Sequence, residues 1–190
     1  MSLTLTPSQT VGPYLHIGLS DTRSVSQIAA DGAPGERITL SFRVFDGDGL
    51  PLPDAMIELW QADADGRYHH PEDAPERVSD PLFRGFGRMA TNVDGSCSFQ
   101  TIKPGRVPGP RGAPQAPHIN VSVFGRGLLK RLPTRIYFAD DPANARDPIL
   151  LLVPESRRAT LLAQPDPNRQ GNWQFEIHLC GPRETVFFDV

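Results

Sequence analysis

The sequence predicts an all-β fold: an antiparallel sandwich of about eight to nine short strands, with long loops and an irregular N-terminal arm. Three observations carry that expectation. Twenty prolines and 17 glycines among 190 residues interrupt the chain too often for long helices. Apolar residues recur with the two-residue period of half-buried strands, while helical periodicity is scarce. Turn-forming runs such as Asp46-Gly47 and Asn92-Val93-Asp94-Gly95 fall between those stretches. Strands following strands across tight turns point to a sandwich or barrel. The length suits one domain, residues 37–190, burying roughly 70% of the surface its unfolded form exposes, preceded by an arm over 1–36.

The elements follow in order. Residues 6–14 read Thr-Pro-Ser-Gln-Thr-Val-Gly-Pro-Tyr, and 16–19 read His-Ile-Gly-Leu. Such a segment is disordered alone, and its apolar side chains ask for a surface to pack on, its own core or a partner's. Residues 24–28 read as one helical turn. From Arg37, the apolar Ile38, Leu40, Phe42 and Val44 alternate with Thr39, Ser41 and Arg43, giving a half-buried strand that ends at an Asp-Gly turn. The next strand, 55–61, places Ile57 and Leu59 on one face and Glu58 and Trp60 on the other. Residues 84–91 and 96–102 flank the Asn92–Gly95 turn and read as a hairpin. Further strands fit 118–124, 134–138, 149–153, 173–179 and 185–189. In 173–179, Trp173, Phe175, Ile177 and Leu179 share an apolar face. The Pro/Gly-rich loop 104–117 is long for a compact domain, as functional or interface loops are.

Composition narrows the function classes. A formal net charge of −3 gives no electrostatic case for nucleic acid or anionic membranes. No run approaches the roughly 18 apolar residues that span a bilayer, and the N-terminal residues lack the pattern of a secretory signal, so a cytoplasmic location is expected. Cys97 and Cys180 have no Cys-x-x-Cys spacing and lie in strand-like runs, so both read as reduced core residues.

Candidate ligands are few. Residues 117–122 read Pro-His-Ile-Asn-Val-Ser, and on a strand His118 and Asn120 share a face. A His-x-His pair there starts a metal site; the neutral amide of Asn120 does not replace an imidazole. Tyr68 offers a phenolate, a hard oxygen donor suited to Fe(III), although nothing in the spacing places it near His118. Asp63-Ala64-Asp65-Gly66 lacks the further acidic positions of a calcium loop and reads as a turn. His69 and His70 face opposite ways in an extended segment and read as exposed loop residues. His178 falls on the polar face of its strand, solvated or at an interface.

Ordered phrases identify a resemblance. Glu58-Leu-Trp-Gln-Ala62, Gly66-Arg-Tyr68, Phe86-Gly-Arg88, Phe99-Gln-Thr-Ile-Lys-Pro-Gly105 and His118-Ile119 occur in the sequence of the intradiol ring-cleaving dioxygenases, and the chain resembles that family from about Thr6 onward. Within it, 6–14, 134–138 and 184–189 are most similar to the alpha-type subunits of the branch that cleaves protocatechuate. The family holds a non-haem ferric ion with two tyrosines and two histidines. Tyr68 keeps the first position, Val107 falls on the second tyrosine, and His118 and Asn120 fall on the histidines. Two of the four ligands are missing, so the resemblance implies a vestigial site and no catalytic residue in this chain alone.

The resemblance further implies an alpha, non-iron-binding subunit of an αβ enzyme. Fe(III) is then carried by a beta-type partner subunit, with protocatechuate and O2 as substrates of the complex. The ring opens between its hydroxyl-bearing carbons to 3-carboxymuconate, a step of aromatic catabolism in the beta-ketoadipate pathway, and αβ pairs gather into a higher oligomer. Thr10, Gly12, Pro13, Tyr14 and Arg135 are the implied substrate-binding residues, completing the partner's pocket. A structural or rim ion pair is the other reading of Arg135, and Arg106 and Arg131 are nearby alternatives. Two other functions stay open: a self-sufficient dioxygenase drafting His69, His70 or His178 as ligands, and a non-enzymatic β-sandwich module.

Overall fold

The computed structural model describes residues 4–21, 23–73 and 80–189. Alternation along β1 (Arg37–Phe45) sets the pattern: Ile38, Leu40, Phe42 and Val44 are buried, while Arg37 and Arg43 face out. The same rule shapes β2 (Met56–Gln61), β3 (Phe86–Ala90), β4 (Ser96–Ile102), β5 (His118–Phe124), β6 (Leu132–Phe138), β7 (Leu162–Pro165) and β8 (Asn172–His178). They join in the order β3-β2-β5-β6-β7-β8-β1-β4. The four residues of β7 divide between two neighbours. Leu162 and Ala163 run parallel to β6, and Gln164 and Pro165 pair antiparallel with β8. The sheet folds over at this strand into two faces, whose inner residues interlock in one core. Phe42 meets Phe99 and Phe175 edge-on at 5.6 and 6.0 Å, and Phe138 meets Trp173 at 4.9 Å.

The fold is mostly β, as expected, but the sheet is mixed. β8 returns from a long excursion beside β1 and runs parallel to it, as β7 does to β6. The expected hairpin of β3 and β4 is corrected too. The 92–95 turn forms, with Gly95 N–H donating to Asn92 C=O at 2.9 Å, yet β3 pairs with β2 and β4 with β1. The turn therefore arches from one face of the sandwich to the other.

The gap between β3 and β4 is filled by residues expected to be helical. Residues 24–28 are extended: Val25 pairs with Arg88 of β3 through bonds of 2.7 and 3.0 Å. Ile28 N–H donates to Gln100 C=O of β4 at 2.8 Å, and Gln100 N–H donates to Ser26 C=O at 2.8 Å. Tertiary hydrogen bonding outweighs a weak local helical preference here. Ile28 is buried over Gly87, where an added Cβ would sit 2.7 Å from its side chain. Arg37 fastens the segment, its Nη1 donating to the carbonyls of Ala29 and Ala30 at 2.8 Å each.

Three further expectations change. Residues 149–153 form no strand, because Asp147 Oδ1 accepts the N–H groups of Ile149 and Leu150 and starts a helical turn, Leu150–Leu152. An unbroken apolar run does not distinguish the two states. Residues 185–189 are extended without a ladder, held by isolated bonds such as Phe188 N–H to Pro133 C=O at 2.8 Å. Cys97 is buried in β4, whereas Cys180 lies beyond β8 and is exposed. Among the described residues no helix is long and apolar enough to cross a membrane.

Candidate functional site

Register builds the site. On the outer face of β3-β2-β5-β6, Phe86 stands opposite Trp60, Trp60 opposite Asn120, and Asn120 opposite Arg135. Two residues along, on the same face, His118 stands opposite Tyr137. The first four form a row across four strands, since residues at matched positions project the same way.

Two loops bring the remaining vestigial positions to this row. Asp63 Oδ1 accepts the N–H groups of Asp65 and Arg67 at 3.0 and 2.9 Å, so 63–67 is the turn its sequence promised. Gly66, at φ +78°, lies so close to the 105–107 loop that an added Cβ would meet the Arg106 carbonyl oxygen at 1.9 Å. Only glycine tolerates both that φ and that approach. Gly105 N–H donates back to Asp63 C=O at 2.8 Å. Tyr68 and the buried Val107 are thereby carried to the end of the sheet where His118 and Asn120 lie. Tyr68 and Asn120, unlinked in sequence, are joined: Asn120 Nδ2 donates to the phenol oxygen at 3.3 Å. The Tyr68 ring stacks on Trp60, centroids 5.8 Å apart and 7° from parallel.

The charges of the cluster oppose a metal. His118 is 2% exposed and donates through Nδ1 to Ala116 C=O at 2.8 Å. Burial, then the nearby Arg135 charge, hold its pKa down to about 4, so the ring is neutral at pH 7. Burial raises the Tyr68 phenol, against the lowering by Asn120 and Arg135, so its proton stays on. Tyr137 O–H donates to Asp147 Oδ1 at 3.1 Å; burial foremost, then the Asp147 charge, raise its pKa. Asp147 is fully buried and also accepts Ala116 N–H at 2.7 Å. Arg135 Nη1 donates to Gln115 Oε1 at 2.7 Å, and Gln115 Nε2 donates to Pro108 C=O at 2.9 Å.

These residues do not fit a ferric ion. Val107 has no donor atom, the Asn120 amide is engaged with Tyr68, and a guanidinium stands among the remaining positions. Among the described residues no group of three or more His, Cys, Asp or Glu is placed to hold a metal ion. His69 and His70 are exposed. His178 is not on a solvated face: it is 7% exposed, stacks on Phe45 at 4.8 Å and bonds Glu176 at 3.2 Å. Its strand, β8, lies in the opposite half of the sandwich.

What the row does enclose is a cavity of about 770 Å³, lined among others by Trp60, Phe86, Asn120, Arg131, Arg135 and Phe188. Arg131 is exposed at its rim, and Arg106 is exposed elsewhere. The arm is placed apart: Thr10 Oγ1 accepts Gly127 N–H at 2.8 Å, and Pro13–Leu15 forms a short turn with Tyr14 84% exposed. Gly12 and Pro13 are exposed as well. Among the described residues no hydrogen bond or ion pair joins the arm to Arg135. Sequence reasoning missed Trp60, Gln115, Tyr137 and Asp147 as parts of the site; only Trp60 and Tyr137 carried a signal, their two-residue spacing from Glu58 and Arg135.

The Dioxygenase family model matches residues 11–181. A protocatechuate 3,4-dioxygenase alpha chain from Burkholderia cepacia is 46% identical over all of this chain and 99% of its own length. The protocatechuate 3,4-dioxygenase beta chain of the same organism is 38% identical over 89% of this chain and 75% of its own. Among solved structures, an intradiol ring-cleavage dioxygenase from Tetranychus urticae superposes with TM-score 0.64 at 20% identity, over 93% of this chain and 94% of that one.

Proposed function

Since the chain belongs to the intradiol dioxygenase family, we propose that it is the alpha subunit of a protocatechuate 3,4-dioxygenase, working in an αβ complex whose iron is held by the beta chain. One observation carries the reading: the site has kept the family's scaffold and lost its metal chemistry. The loops at Gly66 and Gly105 still converge, while Val107, Asn120 and Arg135 leave no place for a cation. Likeness over full length to an alpha chain, and over most of the length to a beta chain, supports a division of labour between two related subunits.

Iron held by the partner would supply the activation of the catechol ring toward O2. This chain contributes binding surface. Its arm supplies Thr10, Gly12, Pro13 and Tyr14 to the partner's pocket, where backbone N–H groups orient the substrate, and Arg135 recognises a carboxylate. The exposed apolar side chains of the arm, Leu5, Tyr14 and Ile17, suit burial against another chain. A self-sufficient dioxygenase would need replacement ligands, yet His69 and His70 are exposed and His178 is packed against Phe45 in the opposite half of the sandwich.

The test is co-purification with a candidate beta chain, followed by iron analysis and oxygen uptake with protocatechuate. About one ferric ion per αβ pair, none in this chain alone, and activity only in the complex are expected. Stoichiometric iron with a phenolate charge-transfer colour in the isolated chain overturns the reading. A chain that captures no beta partner points instead to a non-enzymatic module.

A further inference from the structure

We propose that the helical turn Leu150–Leu152 is a preformed contact knob for the beta-type partner subunit, seated through Leu151 and Leu152. The proposal rests on the subunit reading. The run 149–153 is apolar throughout, yet the fold uses only part of it. Leu150 and Val153 are buried beside Tyr137 and Leu161, whereas Leu151 is 47% exposed and Leu152 78%. Single exposed leucines are ordinary. Two in succession, continuous with further apolar surface, mark a place where another molecule packs.

The turn is rigid before anything touches it. From inside, the buried Asp147 accepts the N–H groups of Ile149 and Leu150 on Oδ1 at 2.9 and 2.7 Å, and its C=O accepts Leu151 N–H at 3.0 Å. From outside, Arg158 donates Nε to Val153 C=O at 2.9 Å and Nη2 to Leu151 C=O at 3.3 Å. Leu151 and Leu152 therefore keep their positions without a partner, and little ordering entropy is lost when one arrives. In the isolated chain this scaffolding of a carboxylate and a guanidinium leaves two leucines in water.

The position of the turn selects the occupant. Leu152 lines the cavity on the outer sheet face together with Val153, Pro154 and Phe188, and Arg135 lines the same cavity. Arg135 is the residue that the subunit reading turns toward the partner's pocket, so the chain that reaches it also covers the leucines. Around the turn stand Arg146, Arg157 and Arg158 against one exposed carboxylate, Glu155. The complementary surface is thus apolar at its centre and acidic at its margin. The arm grips the partner's body, and the turn gives the partner a hold on this one.

The experiment is photocrosslinking in the complex with a candidate beta chain, using Leu152→p-benzoylphenylalanine. The control is Leu50→p-benzoylphenylalanine, at an exposed leucine in the turn after β1 that lines no part of the cavity. Crosslinks to the beta chain are expected from position 152 and not from position 50. In parallel, L151D/L152D should weaken the affinity for the beta chain at least about tenfold, since unpaired carboxylates then enter an apolar contact, while L50D leaves it unchanged. Where L151D/L152D also lowers the melting temperature, the crosslink alone decides. A wild-type chain that captures no beta chain overturns the subunit reading, and this proposal with it. In an assembled complex, no crosslink from position 152, a crosslink to a second copy of this chain, equal crosslinking from position 50, or wild-type affinity in L151D/L152D overturns this proposal alone.

Discussion

The two faces of β3-β2-β5-β6 differ by a single step along each strand. Inward, Ile57, Leu59, Ile119, Val121 and Ile136 meet the opposite half of the sandwich with almost no exposure. Outward, Glu58, Trp60, Asn120, Ser122 and Arg135 line a cavity. The inner face asks of a residue only that it be apolar and of the right volume. The outer face asks for particular functional groups. A fold can therefore persist whatever chemistry stands on its outer face: neither Val107 nor Asn120 is part of the inner packing, and neither offers an imidazole or a phenolate.

That contrast is broken most severely from the inside. Phe99→Ala removes a fully buried ring that contacts Phe42, and a loss of about 3–5 kcal/mol is expected in urea unfolding. A loss under about 1 kcal/mol would show that the core is far more plastic than its packing suggests. Next comes His118, the point where the outer face is sealed like a core. Its folded pKa is about 4 against the ordinary 6.5, so between those values the unfolded chain binds more protons than the folded one. Stability is full above pH 6.5 and falls as the pH drops toward 4, by about 3 kcal/mol from this group. Unfolding midpoints at pH 7 and 4.5 should converge in H118Q relative to wild type; an unchanged pH slope contradicts the assignment.

Asp147→Asn should cost about 2 kcal/mol, because an amide N–H₂ replaces one of the acceptor oxygens facing N–H groups. Loss of ordered structure at 149–153, read by amide exchange, should accompany it. By contrast Asn120→Ala, on the half-buried row, should change stability by under about 1 kcal/mol, since only its 3.3 Å bond to Tyr68 is lost. The smallest expected effect is on metal content. V107Y/N120H restores the missing ligand types but leaves Arg135 beside Tyr68 and His118, and no ferric ion should be retained. Stoichiometric iron, with its phenolate absorption, would show that Arg135 moves aside.

Much of this organisation was written in alternation. β1 and β8 could be placed because Ile38 to Val44 and Trp173 to Ile177 change polarity at every step. The state of 149–153 could not, since five apolar residues have no polar side to mark, and the deciding group, Asp147, lies outside them. The pairing of β3 and β4 failed for another reason. A turn specifies that the chain reverses, whereas which strand it then joins depends on partners far away in sequence. In the site, Tyr68, Val107, His118 and Asn120 were legible from the ordered family phrases. Arg135 was legible in the family phrase at 134–138, whereas Tyr137, two residues along the same face of β6, was missed. Gln115 and Asp147 left no trace, because a loop residue's partner is set by how loops meet in space.

The extended segment at 25–30, hydrogen-bonded to both β3 and β4, also bears on how this chain survives before it is assembled. A free strand edge is a template on which another copy adds a strand and begins to aggregate. Here the outer sides of the two terminal strands are met by the chain itself, through Val25 on Arg88 and through Ser26 and Ile28 on Gln100. Any stickiness of an unpaired subunit then lies in the exposed Leu5, Tyr14 and Ile17 of the arm and in Leu151 and Leu152. Self-association by those side chains is side-chain contact that a rightful partner displaces, whereas strand addition at an open edge is a trap the subunit does not readily leave.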